Sequence, residues 1–195
     1  MTVIRVNPTS VHQYGTSASQ IFGGIHTELV ALVNDVVGVH YFGPNAVSFK
    51  TECGRLAAEF ATKLHTDIAA MADAVRVATS NIAASLGGQP ITITVDARPI
   101  TPPAPESVDY VDVDTAALDG LQPTVTNHFE AVRNHLKDHL SRLQQTDWEG
   151  NAKESAVGAV TSFTTAANGK CNEAQQSITK YITDQINSVT AADKA

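Results

Sequence analysis

Four stretches of the chain repeat apolar residues at intervals of three and four, the spacing that lines one face of an α-helix. The first carries Val11, Tyr14, Ala18, Ile21, Ile25, Leu29, Leu32 and Val36. The second runs from Phe49 through Cys53, Leu56, Phe60, Leu64, Ile68, Met71, Val75, Ala78 and Ile82 to Leu86. The third carries Leu118, Leu121, Val125, Phe129, Val132, Leu136, Leu140 and Leu143. The fourth carries Ala152, Ala156, Ala159, Phe163, Ala167, Cys171, Ala174, Ile178, Ile182, Ile186 and Val189. A near-seven period sustained this long suits shallow, left-handed packing between long helices.

The punctuation agrees with four helices. Thr9 or Ser10 is placed to cap the first helix after Pro8, and Asp114 or Thr115 the third. The first pair breaks at Gly43-Pro44, with Pro44 suited to the first turn of the next helix. The second pair breaks between Thr146 and Gly150, and Gly87-Gly88 ends the second helix. Sliding the chain by 107 residues lays Gly43 on Gly150, Val11 on Leu118, Phe22 on Phe129, Leu29 on Leu136 and Met71 on Ile178. One hairpin is used twice.

The sequence therefore divides into a first hairpin over 1–86, a linker over 87–113 and a second hairpin over 114–195, with both hairpins in one bundle. Alternation from Ile91 to Val95 is strand-like, and the prolines that follow keep the segment extended, either along the bundle or as a disordered connection. The expected fold is all-α: a four-helix bundle of two long helix-turn-helix hairpins packed antiparallel and joined by an extended Pro-rich linker. The linker's length argues for that arrangement. A few residues would connect hairpins whose turns share an end, whereas about 27 extended residues reach roughly 90 Å, further than helices of roughly 50–60 Å. Gly43 and Gly150 are then expected at opposite ends, with Cys53 and Cys171 too far apart for a disulfide.

Composition narrows the function. With 43% hydrophobic and 17% charged residues the chain reads as globular rather than disordered. A net charge of −7 with no cluster of Lys and Arg removes the usual grip on nucleic acid. No unbroken apolar run approaches the roughly 18 residues of a membrane span. Met1 to Pro8 lacks the charged start and apolar core of a signal peptide, so export through the general route is not expected.

Candidate chemistry is sparse. His128, His135 and His139 follow at helical spacings of seven and four, near Glu130 and Asp138, and could share one face. A zinc site needs three or four converging ligands with an organised outer shell. The simpler reading is half-buried histidines flanking a core. No Glu has a His three residues later, as a di-iron bundle requires, and no Gly-rich phosphate loop or G-x-S-x-G elbow occurs. No catalytic, cofactor or metal residues are assigned, and a non-enzymatic role is expected.

Asp147-Trp148-Glu149-Gly150, set between two long helices, resembles the WXG family of small proteins exported by type VII secretion in actinobacteria and firmicutes. In that family an antiparallel helical hairpin turns at W-x-G, and two hairpins pair as a dimeric four-helix bundle. The resemblance covers nearly the whole chain outside the linker. It implies a fused pair, in which intramolecular packing of the hairpins replaces a heterodimer. Glycine suits such a reversal because it reaches backbone angles other residues pay for, and a large aromatic can shield the turn. Trp148 either staples its own hairpin or takes part in recognition by the secretion machinery. The first turn departs from the pattern: Tyr41 of Tyr41-Phe42-Gly43 stands where the tryptophan would be.

The family's export tag is Y-x-x-x-D/E after a hairpin. Tyr110 to Asp114 fits it but lies in the linker, where it reads equally as an extended lead into a capping Asp. Tyr181 and Asp184 come close, with Asp184 one residue early and Gln185 at the expected place. The resemblance implies a type VII substrate or secretion partner, cytoplasmic before export and then secreted or at the cell surface by a signal-peptide-independent route. Its partners would be the secretion ATPase or a co-secreted protein. A cytoplasmic scaffold or adaptor is the alternative, and a metal-binding bundle a remote one.

Overall fold

The computed structural model describes residues 3–86 and 88–194. The chain order is β1 (Arg5–Val6), α1 (Pro8–Gly38), β2 (Tyr41–Phe42), α2 (Pro44–Leu86), β3 (Asp112–Val113), α3 (Thr115–Gln145), β4 (Trp148–Glu149) and α4 (Asn151–Asp193). The protein is an all-α four-helix bundle. Two helical hairpins, α1 with α2 and α3 with α4, pack antiparallel and are joined by the Pro-rich linker. α1 and α3 have 31 residues each, α2 and α4 have 43 each.

Each boundary has a local cause. α1 starts two residues earlier than a Thr9 cap allows and three earlier than a Ser10 cap. Pro8 has no N–H and a φ already suited to a helix, so it takes the first helical position and Asn7 becomes the cap. Asn7 Oδ1 accepts from the Ser10 N–H at 3.2 Å. Asp114 caps α3 in the same way, accepting from the Ala117 N–H at 3.0 Å. Both reversals end on a glycine at φ +123°, Gly43 and Gly150, a left-handed backbone that a side chain resists. α2 closes with the Gly88 N–H bonded back to the Ala83 carbonyl at 2.9 Å. Pro123 lies inside α3 and forfeits one helical bond. Buried Leu121 and Val125 on either side hold the helix through it.

The chain divides into two compact units, and every helix contributes to both. Unit 1 comprises 1–26, 63–97 and 133–169; unit 2 comprises 27–62, 98–132 and 170–195. Gly150 falls in unit 1 and Gly43 in unit 2. In unit 1, β1 pairs antiparallel with β4, Arg5 opposite Glu149 and Val6 opposite Trp148. In unit 2, β2 pairs antiparallel with β3, Tyr41 opposite Val113 and Phe42 opposite Asp112. The Asn7 N–H donates to the Asp147 carbonyl at 2.9 Å, and the Asp114 N–H to the His40 carbonyl at 3.0 Å. Every one of these pairs maps onto its counterpart by the same 107-residue offset. The repeat therefore begins before the helices, and the strand that precedes each hairpin pairs with the turn of the other. Sequence periodicity assigned nothing to residues 5–6 and left 112–113 in the linker, because a two-residue strand has no period to read.

The apolar stripes form the core. In α1 all eight stripe residues are buried, Ala18, Ile25, Leu29 and Val36 completely. Full burial of a Leu or Ile side chain stabilises by about 1.5–3 kcal/mol. α1 is the one described helix long and apolar enough to cross a membrane by length and composition alone. Two stripes shift from the sequence reading. His139, not Leu140, takes the fully buried position between Leu136 and Leu143 in α3. In α4, Val160 and Thr164 are buried while Ala159 is exposed and Phe163 half-buried. Alanines on several faces of that half of α4 hide its phase. The linker lies along the helices. In unit 1, Ile91 is buried and the Thr94 N–H donates to Ser19 Oγ at 2.8 Å. In unit 2, Pro102 packs so closely over Gly54 that a Cβ there would lie 3.1 Å from the proline Cβ.

Because each strand pair takes one strand from either hairpin, separate fragments 1–90 and 108–195 are expected to be weakly helical and to recover helicity on mixing. Circular dichroism of each fragment and of their mixture checks this. Two monomeric fragments that each unfold cooperatively would contradict it.

Candidate functional site

The two aromatic-glycine corners are the most built features of the chain. In unit 1, Trp148 is 2% exposed. Asp147, just before it, is held by the Arg5 guanidinium at 3.3 Å, by Asn7 Nδ2 at 3.2 Å and, through its own N–H, by Ser10 Oγ at 2.9 Å. Lys153 Nζ donates to the Gln144 and Thr146 carbonyls, closing the end of α3. In unit 2, Tyr41 is 4% exposed and its hydroxyl accepts from Gln185 Nε2 at 2.8 Å. Its ring lies 6.0 Å from that of Phe49, which in turn stacks on Tyr181 at 6.0 Å and 9°. The Lys50 ammonium sits 4.7 Å from the centre of the half-buried Phe42 ring.

Both tyrosine–acid stretches fall in unit 2 together with this corner. Tyr110 is exposed, and its carbonyl would lie 3.2 Å from a Cβ on Gly43. Asp114 is engaged as the α3 cap. Tyr181 is partly exposed, and Asp184 pairs with Lys180 at 2.6 Å. Gln185, which follows Asp184, is the residue that donates to Tyr41. Sequence reading named Tyr41 and Tyr181 separately. Their link through Phe49 and Gln185 needed the packing of α2 against α4.

The three histidines of α3 do not converge. His128 lies in unit 2, where Nδ1 donates to Glu28 at 2.8 Å and Nε2 to Asp35 at 2.7 Å. Two carboxylate acceptors on the two ring nitrogens require an imidazolium. Burial opposes that charge, but the hydrogen bonds and charges of Asp35 and Glu28 outweigh it and raise the pKa. The carboxylates lie on opposite edges of the ring, so they cannot share one ion with it. Glu28 and Asp35, seven apart on α1, carried a spacing signal that went unread. His139 lies in unit 1, fully buried, with Nε2 2.8 Å from the Tyr14 hydroxyl and its ring 4.8 Å from Phe22. Burial pushes its pKa down to about 4. His135 packs beside Gly24.

A further histidine pair was not foreseen. His26 Nδ1 lies 3.4 Å from His65 Nε2, and His26 Nε2 lies 3.6 Å from Asp96 of the linker. Burial, and then the neighbouring His26, lower the pKa of His65. Among the described residues no group of three or more His, Cys, Asp or Glu is arranged to hold a metal ion. Cys53 and Cys171 are both buried and form no disulfide. Burial, helped by the Glu52 charge, pushes the Cys53 thiol up to about 12, which keeps it unreactive in the native state. Comparison with protein-family models, curated proteins and solved structures found no match to this chain.

The His128 clamp makes stability depend on pH. Its pKa is raised by folding, so its contribution is complete below the ordinary histidine value of about 6.5 and is lost as pH rises through the raised value. His128→Ala is expected to cost about 1–2 kcal/mol at pH 6, discounted for partial exposure, and less at pH 9. Urea unfolding at the two pH values measures this, and an equal cost at both would remove the charged clamp. At the corners, Trp148→Ala is expected to cost about 3–5 kcal/mol, more than Tyr41→Ala. A melting temperature for Trp148→Ala equal to that of the parent would show the ring contributes nothing to packing.

Proposed function

We propose that the chain is a fused pair of WXG-type hairpins, a non-enzymatic substrate or partner of type VII secretion that acts by protein–protein interaction. The two hairpins, each turning at an aromatic-x-Gly, stand in for the two subunits of a dimer. In this reading the protein is cytoplasmic before export, then secreted or held at the cell surface, and it engages the secretion ATPase or a co-secreted protein.

The observation that carries the proposal is the company kept by the Tyr41-Phe42-Gly43 turn. Tyr41 is bonded to Gln185 and linked through Phe49 to Tyr181, while Tyr110 crosses over Gly43. Both tyrosine–acid stretches that resemble the export tag thus adjoin one turn, although they are about seventy residues apart in sequence. Tyr110 and Asp184 offer exposed side chains there. A buried corner with a polar, partly exposed rim is the arrangement protein partners read, an apolar anchor region surrounded by groups that fix orientation.

The protein is expected in culture filtrate of a host with an active type VII system and not in that of a host lacking the secretion ATPase. Tyr181→Ala with Asp184→Asn is expected to hold it inside the cell if the α4 stretch is the tag. Asp114→Asn tests the linker stretch, because Asn also caps a helix and the fold is kept while the charge is removed. Circular dichroism of each variant separates lost export from lost folding. Retention of the parent protein in the cytoplasm of the secreting host would favour the scaffold reading instead.

A further inference from the structure

The 107-residue offset exchanges the two hairpins, since it carries the strand pair of unit 1 onto that of unit 2. It therefore also gives what a hairpin would meet on a second copy of itself: at each contact, the residue 107 positions away from its present partner. Three contacts between the hairpins oppose that pairing. The first is in the core of unit 1. Tyr14 of the first hairpin lies 2.8 Å from Nε2 of His139 of the second, and both are buried. Their equivalents are Leu121 and Leu32, both buried in unit 2. Two copies of the first hairpin would set Tyr14 against Leu32, and two copies of the second would set His139 against Leu121. Either leaves buried polar groups without their partner. The second contact is the His128 clamp of unit 2. In unit 1, Ile21 is equivalent to His128, and His135 and Arg142 to Glu28 and Asp35. Self-pairing of the second hairpin would set His128 against an imidazole and a guanidinium. Self-pairing of the first would set two carboxylates against Ile21. The third contact lies at the corners. Arg5 pairs with Asp147 at 3.3 Å in unit 1; in unit 2 the acid changes sides, and Asp112 meets His40 at 3.1 Å. Self-pairing would set Arg5 against His40, which offers no carboxylate, or Asp112 against Asp147, two like charges.

We propose that these contacts form a pairing code: the face of each hairpin is built to accept the other hairpin and to reject a second copy of its own. Specificity is a difference between right and wrong pairings, and unpartnered buried polar groups and opposed like charges supply it. Apolar stripes alone would not, because the two hairpins carry similar ones. The inference concerns the hairpin pair only and holds wherever the protein works.

The code can be crossed inside the full-length chain, because a substitution on one hairpin recreates the contact of a self-pair. His139→Leu gives Tyr14 the leucine it would meet on its own kind, and Tyr14→Leu does the same to His139. Each is expected to lower the folding equilibrium constant, read by urea unfolding, about tenfold or more. The double variant rebuilds the leucine pair of unit 2 and is expected to lose clearly less than the two single losses combined. At the clamp, Glu28→His with Asp35→Arg recreates the self-pair of the second hairpin. The loss is expected to be partly recovered by adding His128→Ile on the opposite hairpin. Arg5→Asp is expected to cost a small, salt-sensitive amount that Asp147→His restores by rebuilding the pair of unit 2. Circular dichroism shows whether each variant is folded, and the more exposed clamp and corner decide the matter if a core variant is not. Recovery by substitution on the opposite hairpin upholds the code. Losses that simply add at the folded contacts, or crossed chains as stable as the parent, overturn it.

Discussion

A chain that reverses between two helices through extended residues exposes backbone groups that neither helix can pair. Here that deficit falls at Tyr41–Phe42 and at Trp148–Glu149, and an unpaired backbone group near a core is expensive. The residues just ahead of the other hairpin meet it. Val6 and Arg5 pair with β4, Val113 and Asp112 pair with β2, and Asn7 and Asp114 add a further N–H each before turning to cap their own helices. One short segment thus satisfies a foreign turn and starts its own helix. The positive φ of Gly43 and Gly150 belongs to the same device. A side chain at Gly43 would strain the backbone and also press on the Tyr110 carbonyl and on Val111.

The helices and their pairing were legible because they rest on long periodic signals. The four stripes, the repeat and the two glycines could be read from residue spacing, and α2 was recovered to its closing residue, Leu86. What was not legible had no period or depended on a neighbour. The two-residue strands are of the first kind. A trace existed: the offset that lays Gly43 on Gly150 also lays Val6 on Val113 and Asn7 on Asp114, one cap beside another. His139 is of the second kind. A histidine next to a leucine reads as a flank, yet Tyr14 from α1 accepts it into the core. At the candidate site, Tyr41, Tyr181 and Gln185 were visible as residues but not as a connected set, since Phe49 joins them across helices.

The histidines show how one residue type is put to opposite use by its surroundings. His128 meets two carboxylates and is held charged; His139 meets the Tyr14 phenol and the Phe22 ring and is held neutral. Acid therefore favours the first environment and opposes the second. For His139, with its pKa depressed, stability present above about pH 6.5 is lost as pH falls toward 4. Unit 2 gains from the proton that unit 1 resists, so the pH of greatest stability is a compromise between them.

Joining two hairpins in one chain also changes what each turn can become. Two separate subunits meet at an effective concentration set by expression, whereas a linker raises it to the order of millimolar for a short flexible connection. Folding then no longer requires the two surfaces to be identical, as a symmetric dimer does. The corners record that freedom. One keeps a tyrosine whose hydroxyl is bonded to Gln185 across the helices. The other carries the larger indole, whose buried Nε1 has no hydrogen-bond partner, beside a cavity. A homodimer that adopted the second arrangement would bury two unpaired donors and two cavities. The single chain bears that loss at Trp148 and not at Tyr41.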